Sequence, residues 1–369
     1  MTPLRKQGFT LLELIVAVTV TALLSGMLLT ISSQVLNTQT KTSGHLETNL
    51  IAQAVMDQIQ EDLQCALYRN DGNVWMAMTI LETEDNSGSW QPADQKKPVG
   101  DSLRLFPQDS EDSETIDSTE IPDHLGQAPF DQSRFGVGGV WLRFLSQSPE
   151  LGNNEDINTG GARAIAYQVI RHGITASPTS PARYQLFRTD VTAKNTFSAG
   201  YDLHPDSLYG EKSAEVSIVE TDTPRSHTTL KNPLLETGSE FPANAFSIAS
   251  NIIDFGMRAY ILEQNSTGVG NLIQVFPPVS SNSPGTLISE SYYATSNQLP
   301  EYSPSPTPFN KFPDVVDIML RILTIEGANK LAAFERGDIP ESDALNWWSI
   351  AEEHSAVYFR RIKIYGSGI

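Results

Sequence analysis

The sequence predicts an α+β protein: a long N-terminal transmembrane-to-periplasmic helix packed on an antiparallel β-sheet head with long loop inserts. Three observations predict it. From Leu14 to Ile31 the chain is apolar and uncharged; from Thr38 to about Tyr68 it lacks proline and carries an apolar stripe; after Asp71-Gly72-Asn73 apolar residues alternate with polar ones.

Leu14 to Ile31 as a helix rises about 27 Å, close to the hydrocarbon thickness of a bilayer. The short segment before it carries Arg5 and Lys6, so the positive-inside bias keeps the N-terminus cytoplasmic and sends the remainder across. No A-x-A-like cleavage signal follows the apolar run, and the obvious cut lies upstream of it, at Gly8. Glu13 stands at the edge of the run. A carboxylate placed deep in a membrane costs about 2.5–3.5 kcal/mol on insertion scales, so it needs a partner. Cleavage after Gly8 would create an amino group on Phe9, four residues away, which an adjacent subunit could present to Glu13. A snorkelling glutamate at a helix end is the alternative.

The helix is expected to continue to about Tyr68, with Leu46, Leu50, Ala54, Ile59, Leu63 and Leu67 as its buried stripe. Gly26 and Gly44 weaken it by up to about 1 kcal/mol each relative to alanine. Cys65, the only cysteine, excludes an intramolecular disulfide and reads as a small buried hydrophobe.

Beyond the helix, Leu103 and Leu105 mark a short strand, and Val140, Leu142 and Phe144 mark another beside Trp141. Ile165, Tyr167 and Val169 pair with Tyr184 to Thr189 as an antiparallel hairpin. Further strands hold Ile253, Phe255, Met257, Ala259 and Ile261, then Val316, Ile318, Leu320 and Ile322, and finally Val357 to Tyr365. Trp347 and Trp348 lie in a helix opened by Pro340 and Glu341; adjacent indoles cannot share one helix face, so at least one should be partly exposed or meet a separate surface.

Long inserts separate these strands. Asp109 to Glu120 holds six acids among Ser and Thr, too little apolar surface to order itself. Pro277 to Pro284 and Pro300 to Pro313 are Ser/Pro-rich and expected to run extended. With 44 acidic against 25 basic residues the net charge is −19, which repels phosphate backbones and argues against nucleic-acid partners. The six histidines form no H-E-x-x-H pair, and no G-x-S-x-G elbow or phosphate loop occurs, so the chain reads as no enzyme, with no catalytic, cofactor or metal residues. Asn154, Asp156 and Asn158 before Gly160 echo a calcium loop but lack its downstream glutamate, so a plain turn is expected.

Gly8-Phe9-Thr10-Leu11-Leu12-Glu13 resembles the processing signal of type IV pilins and type II secretion pseudopilins. The resemblance implies cleavage after Gly8 by a prepilin peptidase, N-methylation of Phe9, and a filament-assembly role for Glu13. It divides the chain into a leader (1–8), a transmembrane part of the helix (9–31), a periplasmic part (32–70) and a globular head (71–369). The hairpin Ala164 to Arg171 with Arg183 to Asp190, the segments Ile248 to Ala259 and Phe312 to Ile325, and the ending Tyr358-Phe359-Arg360-Arg361-Ile362 are similar to J-type minor pseudopilins and W-type minor pilins. Phe312 to Phe334 is also similar to a pilin-like cassette family of Verrucomicrobia. These likenesses imply a structural minor subunit of a type II secretion pseudopilus, near its tip, held in the bacterial inner membrane by residues 9–31 until assembly. Its partners would be the prepilin peptidase, other pilin-like subunits and an inner-membrane assembly platform. A minor pilin of a type IV pilus and a membrane-tethered binding module are the alternatives.

Overall fold

Helix α1 runs unbroken over Leu11–Gln64 in a computed structural model of the chain. The structure describes residues 11–69, 71–81, 97, 103–105, 128–136, 138–147, 162–173, 182–191, 193, 196–197, 200–204, 247–264, 270–278, 287, 289–295, 311–342, 345–365 and 367–368. The acidic stretch Asp109 to Glu120, the turn at Asn154 to Gly160 and most of the two Ser/Pro-rich inserts lie outside these residues. The chain divides into two units, residues 1–49 and 50–369.

In the first unit α1 passes straight through Gly26 and Gly44, since two glycine penalties are small against so many intrahelical hydrogen bonds. None of the span Leu11–Leu36 is buried.

The second unit begins with the last turns of α1, whose buried face is Ala52, Val55, Met56, Ile59, Leu63 and then Ala66 just past the helix. This corrects the expected stripe. Leu46 and Leu50 are 61% and 67% exposed, and Ala54 is exposed too. Steps of four drift off one helix face, whereas 52, 55, 56, 59 and 63 hold the 3.6 period. The helix also stops short of Tyr68. Leu67–Tyr68 forms β1, which pairs in parallel with the terminal β14 (Ser367–Gly368), and Cys65 is half-buried one residue past the helix.

Two sheets follow where one was expected. Strands β2 (Met76–Ile80), β5 (Val140–Ser146), β6 (Arg163–Gly173), β7 (Ala182–Val191), β8 (Ser247–Ser250) and β11 (Ser291–Ala294) form an antiparallel sheet in the order β11-β2-β5-β6-β7-β8. Strands β9 (Ile252–Gln264), β10 (Gly270–Phe276), β12 (Val315–Leu323) and β13 (Ser355–Lys363) form a second, in the order β10-β9-β12-β13. A two-stranded ribbon joins β3 (Leu103–Arg104) to β4 (Arg134–Phe135), so Leu105 falls just outside its strand. The two large sheets share one core, in which Tyr167 of β6 meets Phe255 of β9 at 6.5 Å between ring centroids. The expected hairpin is present as β6 and β7, with Tyr167 opposite Arg188. The final strand starts two residues earlier than Val357 and ends at Lys363.

Among the described residues, two short helices follow β12. Helix α2 (Ile325–Arg336) is capped by Thr324, whose Oγ1 accepts from the Gly327 amide, and ends at Gly337 with φ 84°. Helix α3 (Trp347–Glu353) opens later than Pro340 because Asn346 and Ser349 form a reciprocal capping box. Both indoles are buried, each 3% exposed, so of the two expected outcomes neither ring is exposed. Trp347 donates to Glu335 and meets Tyr184 edge-on, while Trp348 lies beneath the Arg134 guanidinium, so each ring faces a different surface of the same crowded site.

Candidate assembly segment and the anchoring of the head helix

The sequence assigns site roles to Gly8, Phe9 and Glu13. Glu13 lies in the first turn of α1 and is exposed. Gly8 and Phe9 fall outside the described residues. From Leu11 to Leu36 Glu13 is the single charged side chain of the span. Three threonine hydroxyls of this span are satisfied locally: Thr19 donates to the Ile15 and Val16 carbonyls, Thr21 to Ala17 and Thr30 to Gly26. Such bonds let threonines sit in an apolar medium without a partner from elsewhere. Along one side Thr19, Ala22, Gly26 and Thr30 leave a shallow open groove. The segment is thus a span whose threonine hydroxyls are internally paired and whose single charged side chain sits near one end.

In the second unit, the last turns of α1 are fastened by a buried ion pair absent from the sequence reading. Asp62 is 1% exposed and takes two hydrogen bonds from Arg188 on β7, at 2.7 and 3.0 Å. It also accepts from the Tyr167 hydroxyl on β6. Its own backbone carbonyl accepts from Ser146 on β5. Burial and the neighbouring Asp62 charge push the Tyr167 hydroxyl well above its ordinary pKa, so it stays a donor. Burial would lower Arg188, but the hydrogen bond and charge of Asp62 outweigh it and hold the guanidinium charged. Arg188 also reaches Asp190, which pairs with Arg163. On the other sheet, Arg360 of β13 bonds Gln60 at 3.1 Å and pairs with Asp57. The last turns of α1 are therefore tied to three strands of one sheet and one of the other. The signal was present in the sequence: Asp62 is an acid on the face that Ile59, Leu63 and Ala66 bury.

A second carboxylate, Glu335 of α2, accepts from Arg171, Tyr184 and Trp347, and thereby holds α2 and α3 against β6 and β7. Among the described residues no cluster of His, Cys, Asp and Glu could hold a metal ion.

Residues 3–29 match the family model described as the prokaryotic N-terminal methylation motif, the type IV pilin-like signal. That match spans Gly8, Phe9 and Glu13 and most of the apolar run. No curated protein and no solved structure matches the chain. The motif supports a pilin-like subunit processed by prepilin peptidase and assembled with others of its kind, and the apolar helix fits membrane anchoring.

Proposed function

We propose, from the methylation motif as premise, that this chain is a structural minor subunit of a pilin-like filament, a type II secretion pseudopilus. Residues 1–8 are the leader, cut after Gly8; Phe9 is the methylated new terminus; residues 9–31 hold the subunit in the inner membrane; residues 32–70 continue the helix; and residues 71–369 form the head on the periplasmic side. The observation that supports this best is the placement of one carboxylate, Glu13, in the first turn of an otherwise uncharged span that follows a glycine cleavage signal.

Assembly is lateral. The apolar faces of neighbouring spans pack together, and Glu13 pairs with the Phe9 amine of the adjacent subunit, which neutralises both charges in a medium where neither is stable alone. A head of some 300 residues would crowd a closely packed fibre if every subunit carried one, which favours a minor position near the tip. The partners are the prepilin peptidase, other pilin-like subunits and the assembly platform in the inner membrane.

Replacement of Glu13 tests the reading. Glu13→Ala should insert in the membrane at the wild-type level yet drop at least about tenfold in sheared filament fractions, measured by quantitative immunoblot. Wild-type incorporation of that variant would remove Glu13 from assembly.

A further inference from the structure

β13 closes the order β10-β9-β12-β13, and its nine residues, Ser355–Lys363, pair with β12 alone. It is the longest edge strand among the described residues: β10 has seven residues, and β8 and β11 have four each. Two bonds just beyond its ends fix which backbone groups face outward. The Thr324 amide donates to the His354 carbonyl at 3.0 Å, and the Ile364 amide to the Asp314 carbonyl at 2.9 Å. Both pairs continue the register that sets Val315 opposite Lys363 and Leu323 opposite Ser355. Hydrogen-bonded pairs recur at every second residue of an antiparallel ladder, so Ala356, Tyr358, Arg360 and Ile362 turn their N–H and C=O toward β12. Ser355, Val357, Phe359, Arg361 and Lys363 turn theirs to the open edge. Among the described residues no hydrogen bond reaches those backbone groups.

Long edges are ordinarily blunted by proline, a bulge or charge. β13 contains no proline, and its register with β12 runs without a shift. Arg361 is turned back across the sheet, where it makes two 2.7 Å bonds to Asp317 of β12, and Lys363 lies over the Tyr365 ring. In the middle of the strand Phe359 is 68% exposed, although its cross-strand neighbour Met319 is buried. A row of unpaired backbone donors and acceptors is satisfied by another strand, and a second β13 fits this row when it runs antiparallel about a two-fold axis at Phe359. Phe359 then faces its own copy, Arg361 faces Val357 and Lys363 faces Ser355. Aromatic residues directly opposed across an antiparallel pair attract, and this register opposes no like charges. An axis at Arg361 would set two guanidinium groups against each other.

We propose that two copies of this chain join through the open edge of β13, antiparallel and centred on Phe359, so that their four-stranded sheets continue as one. Each copy carries a net charge of −19, so the copies repel at long range and the association strengthens as salt screens that charge.

The test uses the full chain in density-matched detergent, with micelles in excess so that two spans seldom share one. Sedimentation equilibrium reads association, and hydrogen exchange reads the β13 amides. A nitroxide on Lys363→Cys in a Cys65→Ser chain reads the register. Lys363 faces Ser355 of the second copy, so the two labels lie eight residues apart, about 27 Å along the strand. The expected result is a reversible dimer that tightens with salt, slows exchange at Val357, Phe359 and Arg361, and gives a label separation of about 25–35 Å. Phe359→Lys changes an exposed side chain, so Tm should hold, yet it places two cations on the axis and should weaken dimerisation at least about tenfold. A monomer overturns the proposal, as does a dimer that keeps its strength in Phe359→Lys, leaves those three amides in fast exchange or holds its labels outside that range. Protection of the edge only on addition of a different pilin-like subunit would likewise overturn the second copy as occupant.

Discussion

Asp62 shows how much of the head depends on single ionised groups. It is buried, and Arg188 and Tyr167 spend their hydrogen bonds on it. Asp62→Ala would strand a guanidinium and a phenol in the core, and breaking a buried pair from one side costs about 3–5 kcal/mol. Urea unfolding of the variant should therefore show a fall of that size, with a change under about 1 kcal/mol contradicting the role. Tyrosines set the alkaline limit. Burial first, then the Asp317 charge, push the Tyr260 hydroxyl up to about 12. A raised folded pKa means the unfolded chain loses its proton first, near pH 10, while the native state still holds its own. The native state then binds more protons, so stability is intact below pH 10 and falls as the pH rises from 10 through 12. Tyr260→Phe should flatten that fall in pH-dependent thermal unfolding; an unchanged slope would mean that this hydroxyl does not control it. Asp62 was legible as an anomaly, an acid in a buried stripe, but its partners lie more than a hundred residues away in sequence, and local pattern cannot pair them.

Strands whose apolar residues alternate with polar ones were legible as elements even where both faces are buried, and strands without that alternation were not. β9 and β12 show their alternation because Asp254, Arg258, Asp317 and Arg321 interrupt the apolar set. β2, Met-Ala-Met-Thr-Ile, is buried at every position and so carries no period-two signal. The short β4, β8 and β11 take their place from neighbours, since two to four residues define no period of their own. The split into two sheets was equally hidden. It depends on close approach at points such as Gly139, between β4 and β5, whose φ is +66° and where an added Cβ would stand 2.7 Å from the Phe255 carbonyl oxygen. Gly139→Ala should lower stability by at least about 2 kcal/mol, read by chemical denaturation, through both the backbone conformation and the contact with β9. A neutral outcome would show that the two sheets tolerate separation there. At α3 the adjacent indoles meet edge-on at 4.8 Å between ring centroids, and both are covered, Trp347 by Tyr184 and Trp348 by Arg134.

For the molecule as a whole, the methylation motif lies near the N-terminus and most of the chain lies in the second unit. The methylation motif was legible because its signal is local: a glycine, an aromatic, a carboxylate and an uncharged span close together in sequence. The anchoring pairs of α1 were not, because they join the helix to strands that only the folded sheet brings together. The acidic surplus belongs to this scale too, and makes the buried guanidinium groups of the head stand out against a net charge of −19. The central claim is that the chain is processed at Gly8 and enters a filament as a pilin-like subunit. Intact-protein and peptide mass spectrometry of the chain, expressed with and without a prepilin peptidase, tests it most directly. The account predicts a mature chain beginning at methylated Phe9 only when the peptidase is present. An intact Met1 terminus in both, or cleavage beyond Ile31, would contradict it.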